Sequence, residues 1–136
     1  MFTHETRVRV RYGETDQMGY MYYGNYAEFY EVARVEMLRS LGMTYRSMEE
    51  SGIMMPVLEM NCKYIKPARY DEELLIRTIV AKMPGVRIHF KYEFYNEQEE
   101  FIHVGETTLA FVDMKRNRPC LPPEDFQSRM KPFFEK

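Results

Sequence analysis

Tryptophan is absent from this chain of 136 residues, cysteine occurs twice and histidine three times. Cys62 and Cys120 lie far apart, with no metal or redox spacing, and a secreted disulfide scaffold of this size would carry more. They read as two reduced thiols of a cytoplasmic protein. His4, His89 and His103 are scattered, so no metal site is expected. No apolar run approaches the ~20 residues a membrane span needs. Met1 to Val10 carries charges and no apolar core, unlike a signal peptide. A large charge of one sign is also missing. Nineteen Lys and Arg face 21 Asp and Glu, a net charge of -2, which gives no field to hold nucleic acid. Repeats, low-complexity segments and linkers are lacking as well.

What is present fits one globular domain: 45% hydrophobic residues, 29% charged, and a length too short for two ordinary domains. Twelve Met and 11 Tyr suit adaptable apolar pockets and interfaces, and ordinary core filling equally. Thr6 to Tyr12 alternates Val8, Val10 and Tyr12 with Arg7, Arg9 and Arg11, a half-buried strand. From Asn25 the period becomes helical. Tyr26, Phe29, Tyr30, Ala33, Met37, Leu38 and Leu41 share one broad apolar face, with Glu28, Glu31, Glu36 and Arg39 opposite. Asn25 with Glu28 has the spacing of a capping box, and Gly42 sits where the helix should stop. Thr44 to Glu50 adds two turns.

After Gly52 the strands follow: Val57 to Ile65, Glu73 to Lys82, Val86 to Tyr95 and Phe101 to Asp113, joined by turn signals such as Met83-Pro84-Gly85. Short connections make neighbours antiparallel. A strand, one deeply apolar helix and four more strands are most economically packed as a curved antiparallel sheet around that helix. Pro122-Pro123 with Glu124 and Asp125 starts a short C-terminal helix.

The stretch Tyr12 to Tyr23 joins strand to helix, is rich in glycine and carries Asp16. A loop aspartate here can simply satisfy local amides. It can also stand as a base or nucleophile beside the free backbone N–H groups of a helix start, which would form an oxyanion hole. Gly19 and Gly24 would let a ligand approach the backbone closely.

Tyr12-Gly13-Glu14-Thr15-Asp16-Gln17-Met18-Gly19, then Tyr22-Tyr23-Gly24-Asn25-Tyr26, then Phe29-Tyr30-Glu31 and Arg34, with Lys66-Pro67-Ala68-Arg69 at a strand end, resembles the acyl-CoA thioesterase family of the 4-hydroxybenzoyl-CoA thioesterase and YbgC type. The resemblance implies an α+β hotdog fold over the single domain 1–136. Its five-stranded antiparallel sheet would have the order 1-3-4-5-2 around the long helix, with a short helical tail. It implies an acyl-CoA thioesterase hydrolysing an acyl- or aroyl-CoA, with catalytic residues Asp16 and Tyr23, the latter through its backbone N–H. YbgC-type members commonly carry histidine where this chain has Tyr23. A phenol is a poor base near neutral pH, but the backbone role survives the swap, and the 4-hydroxybenzoyl-CoA branch also has tyrosine there.

Substrate contacts are expected from Tyr12, Met18, Gly19, Tyr26, Tyr30 and Met60, with Lys66 and Arg69 near the nucleotide end. Other cations, Lys63, Arg87 and Lys91, read equally well as solvated strand-edge charges. No cofactor is expected beyond the coenzyme A of the substrate, and the carrier is coenzyme A or an acyl-carrier protein. His89 and His103 read as structural or solvent-facing. The strand Val57 to Ile65 would lie at a sheet edge and pair with a second copy, giving a homodimer, further assembled into a tetramer. The alternatives are a hotdog hydratase or dehydratase, which wants a histidine paired with a carboxylate, and a non-catalytic acyl-thioester binding module.

Overall fold

The structure, a computed structural model, describes residues 1–135. Strand β1 (Phe2–Arg9) starts earlier than its alternation suggests, because it pairs with β4 along its whole length, from Phe2 opposite Val80 to Arg9 opposite Glu73. Tyr12–Glu14 and Tyr23–Asn25 are single 3-10 turns that bracket the glycine-rich loop. Helix α1 (Tyr26–Ser40) buries Tyr26, Phe29, Tyr30, Ala33, Met37 and Leu38, the stripe that its period sets. It ends at Gly42, whose φ of +80 turns the chain left-handed while its N–H bonds back to Arg39 O at 2.9 Å. The capping box expected of Asn25 and Glu28 is not formed. The Asn25 side chain leaves the helix and donates to Glu14 O at 3.0 Å. The capping box lies instead on the next helix, α2 (Tyr45–Glu50), between Thr44 and Ser47.

The remaining elements are β2 (Ile53–Met54), β3 (Val57–Tyr64), β4 (Glu73–Val80), β5 (Arg87–Tyr95), β6 (Phe101–Ala110), β7 (Val112–Asp113), β8 (Arg118–Pro119) and α3 (Glu124–Met130). The main sheet is antiparallel and runs β1-β4-β5-β6-β3. The expected order 1-3-4-5-2 is corrected: it was counted over five strands, without the two-residue β2 that precedes β3. The single long strand expected to Asp113 also breaks. Phe111 is fully buried and packs against Phe126 of α3 at 5.4 Å, so β7 leaves the main sheet and pairs with β2 and β8.

One face of the sheet wraps α1. Tyr30 stacks on Tyr92 with centroids 4.4 Å apart, and such a buried ring contributes ~1.5–3 kcal/mol. Its hydroxyl end occupies the space above Gly105 on β6: a Cβ there would fall 2.0 Å from the Tyr30 oxygen. Glycine at 105 is therefore a hole in the sheet, filled by the helix. Arg34 is buried beside it, donating to the Tyr92 hydroxyl at 3.0 Å, which shares a bond of 2.7 Å with Thr107.

Candidate active site

The loop before α1 is held by Glu14, which the sequence marks only as one member of the motif around Asp16. Its carboxylate is buried and accepts from the Arg11 N–H at 2.7 Å and the Arg11 guanidinium at 3.0 Å. Its carbonyl accepts from Tyr22 N at 2.8 Å and the Asn25 amide at 3.0 Å. The start of the loop is thereby tied to the start of the helix. The signal available in the sequence was a carboxylate three residues after an arginine inside a glycine-rich stretch.

Asp16 lies at the tip. Its Oδ1 accepts from Met18 N at 2.9 Å and Tyr20 N at 3.2 Å, and its carbonyl accepts from Gly19 N at 3.0 Å. Gly19 has φ +78, a corner that glycine takes without steric cost. Asp16 thus does satisfy local amides, but with one oxygen only. Oδ2 has no hydrogen-bond partner among the described residues. Across the loop, the N–H groups of Tyr23 and Gly24 open the 3-10 turn that leads into α1. Neither has an acceptor among the described residues. A Cβ at Gly24 would meet the half-exposed Tyr22 ring at 2.5 Å, so any side chain there would have to push that ring aside.

Asp16, Met18, Tyr23, Tyr26 and Lys66 line one cleft of about 360 Å³, completed by Tyr20, Met21, Tyr64, Ile65 and Pro67. Its floor is Tyr26, whose phenol is pushed up to about 12 by burial and so stays neutral. Five expected contacts lie elsewhere. Gly19 forms the turn behind Asp16. Tyr12 is exposed, edge-on to Tyr70 at 5.6 Å. Tyr30 is in the core, and Met60 is half-exposed on the edge strand β3. The Arg69 guanidinium lies 4.9 Å over the Tyr20 ring and faces a neighbouring cavity with Lys66, Glu72, Glu97 and Glu100. Glu100 engages the Lys66 ammonium, which holds its carboxyl below the usual range.

His103 forms a second layer under the cleft. It is fully buried, stacks on Tyr26 at 4.0 Å and is hydrogen-bonded through Nε2 to the Tyr30 hydroxyl, while Nδ1 has no partner among the described residues. Burial pulls its imidazole down to about 4. No histidine lines the cleft among the described residues. The described side chains contain no group of three metal-ligating residues, and no described helix is long and apolar enough to cross a membrane.

Residues 10–130 match the Thioesterase-like superfamily. The Bacillus subtilis protein YneP is 33% identical over 119 residues, covering 88% of this chain and 86% of its own. The acyl-CoA thioester hydrolase YbgC of Escherichia coli O157:H7 is 31% identical over 124 residues, covering 91% of this chain and 92% of its own. A DHNA-CoA thioesterase from Staphylococcus aureus, 34% identical, superposes with a TM-score of 0.92 over 98% of this chain and 92% of that one.

Proposed function

The chain belongs to the Thioesterase-like superfamily, and from that premise we propose that it hydrolyses an acyl- or aroyl-CoA thioester to the free acid and coenzyme A. The observation that carries the reading is the half-engaged carboxylate of Asp16, sharing an apolar cleft with Tyr23, whose backbone N–H is unpaired. Oδ1 is fixed by two amides, so Oδ2 is held in place to work on water or on the substrate. Water gives up a proton to Oδ2 and adds to the thioester carbon. The Tyr23 N–H donates to the oxygen that gains charge. Collapse expels the thiolate, a good leaving group that needs little acid assistance. Direct attack by Oδ2, through a mixed anhydride, uses the same geometry. No further cofactor enters this scheme.

The acyl group occupies the floor of Tyr26, Met21 and Tyr64, since burying apolar surface there is favourable. The nucleotide carries several charges and stays outside, where Lys66 and Arg69 follow the cleft, with Lys66 exchanging Glu100 for phosphate. An acyl-carrier protein would present its thioester the same way. The hydratase reading is weaker because it asks for a histidine facing the carboxylate, and His103 is sealed behind Tyr26. The protein works as a homodimer through the β3 edge, further assembled into a tetramer.

Asp16→Asn tests the assignment. Asn keeps the Oδ1 acceptor for Met18 and Tyr20 but removes the charge. In a thiol-release assay over an acyl-CoA panel, kcat falls by at least ~100-fold with Tm nearly unchanged. Wild-type turnover in the variant would sink it, and thiol-free conversion or mere binding of the panel would favour the hydratase or the binding module.

A further inference from the structure

Tyr12 and Tyr70 stand in water, 78% and 55% exposed, yet their backbones are fixed. Tyr12 O accepts from Thr15 N at 3.1 Å and from the Thr15 hydroxyl at 2.7 Å. Tyr70 tips a turn in which Glu72 N donates to Arg69 O at 3.2 Å and Asp71 turns the chain left-handed with φ 69. Val10 ties that turn to the end of β1, donating to Glu72 O and accepting from Asp71 N, each at 2.9 Å. The two rings therefore meet, with centroids 5.6 Å apart and planes at 85°. Neither phenol has a hydrogen-bond partner among the described residues.

Two perpendicular rings form a corner. A flat base stacked on one of them turns its electropositive edge to the face of the other, and both contacts are favourable. The corner ends a line that starts in the cleft. Asp16 and Tyr20 line the cleft. Tyr20 bridges to Arg69 as an isolated antiparallel pair, and the Arg69 guanidinium lies 4.9 Å over the Tyr20 ring. That guanidinium has no ion-pair partner among the described residues. Stacked by its face, it keeps its in-plane N–H groups free to donate to phosphate. Tyr70 is the next residue, and Tyr12 leans on it. From its sulfur outward, coenzyme A is a pantetheine arm, a diphosphate, a ribose and adenine. The protein offers matching groups in the same order: carboxylate and apolar cleft, then cation, then aromatic corner.

We propose that Tyr70 and Tyr12 receive the adenine ring of coenzyme A, so that the far end of the substrate is read by stacking as well as by charge. The inference rests on the thioester-hydrolase reading of the cleft and adds to it the residues that recognise the base. Every base has a π-face, so the corner reads a flat ring and not a hydrogen-bonding pattern. A thioester carried on phosphopantetheine alone meets Arg69 and leaves the corner empty.

Thiol release from two thioesters of the same acyl group, one on coenzyme A and one on phosphopantetheine, tests this. Tyr70→Ala raises KM for the coenzyme A thioester at least ~5-fold and leaves kcat alone, because a stacked base loses its platform. KM for the phosphopantetheine thioester does not move, since that substrate has no base. Tyr70→Phe keeps the ring and the wild-type KM for both. Tyr12→Ala gives a smaller rise, again confined to the coenzyme A thioester, whereas Arg69→Ala raises KM for both. Misfolding cannot produce a defect that one substrate shows and the other does not. An unchanged KM for the coenzyme A thioester in Tyr70→Ala overturns the proposal, and so does a rise shared equally by both thioesters. If the wild type releases no thiol, the hydrolase reading fails, and calorimetric titration with free coenzyme A and with phosphopantetheine decides the corner. Weaker binding of coenzyme A alone in Tyr70→Ala upholds it. No binding by the wild type, or equal affinities in wild type and variant, overturns it.

Discussion

The two edge strands of the sheet, β1 and β3, each run for eight residues, yet they meet solvent differently. On β1 the outward arginines are engaged within the chain: Arg7 with Glu73 at 3.7 Å, and Arg9 with Glu73 at 3.5 Å, Asp71 at 3.8 Å and Glu97 at 3.9 Å. Just past its end, Arg11 closes on Glu14 at 3.0 Å. On β3 neither Glu59 nor Lys63 has an ion-pair partner among the described residues, and the apolar side chains are half-open. Charge already spent inside the subunit blunts an edge, whereas the same residue types left unpaired advertise it. The cleft that holds Asp16 is lined by Tyr64, so it lies beside the end of β3.

The largest effect expected of this asymmetry is acid sensitivity confined to the β3 side. His103 sits on β6 directly opposite Tyr64 of β3. Its imidazole titrates near 6.5 when unfolded and near 4 in the fold. Between those values the unfolded chain binds more protons, so stability falls as pH drops from 6.5 to 4, by up to about 3 kcal/mol. His103→Gln flattens that part of the slope in urea titrations between pH 7 and 5. Amide exchange at pH 5 is expected to accelerate in β3 and β6 before β1 and β4, and uniform acceleration would dissolve the comparison.

Next in size is the hole in β6. Gly105→Ala puts a methyl group into the Tyr30 hydroxyl, and the helix or the ring must move. The expected loss is about 1–3 kcal/mol, read as a lower denaturant midpoint. Paired with Tyr30→Leu, which removes the hydroxyl together with the ring carbons the methyl group would meet at 2.3 and 2.9 Å, the cost shrinks. Equal costs in both backgrounds would show that Tyr30 does not fill the hole.

Smaller effects are expected where charges are exposed. Arg69→Ala raises KM a few-fold, equivalent to ~0.5–1 kcal/mol, leaves kcat alone, and wild-type KM rises with salt. Abolished kcat or a flat salt response would misplace the nucleotide. Smallest is Arg9→Glu on β1, which changes stability by under about 1 kcal/mol and leaves the sedimentation pattern unchanged. A change in the sedimentation pattern on Arg9→Glu would erase the distinction between the edges.

Much of this was legible before folding. The alternation in Val57 to Ile65 carried both the strand and its two-sided character, and the stripe from Tyr26 to Leu38 carried the helix. The loop around Asp16 stood out because glycines and a carboxylate precede a helical period. Tyr30 and Met60 show where legibility ends. Tyr30 follows Tyr26 by one turn on the same face, and period alone gave both to the cleft. The fold puts Tyr26 at the cleft floor and Tyr30 over Gly105. Met60 shares its face with Tyr64, but only Tyr64 lies near enough to the loop to line the site.

The sequence by itself therefore determined the long helix, the five strands of the main sheet and the charge order along β3. Period, turn residues and charge placement act between near neighbours in the chain and need no distant partner. Only the tertiary structure decided which oxygen of Asp16 is free and that Glu14 braces the loop. It also decided that Gly105 receives a ring from 75 residues earlier, and that His103 stays uncharged beneath Tyr26. Each of these depends on what lies opposite a side chain, and periodicity gives a side chain's direction about its own axis without naming the group it meets.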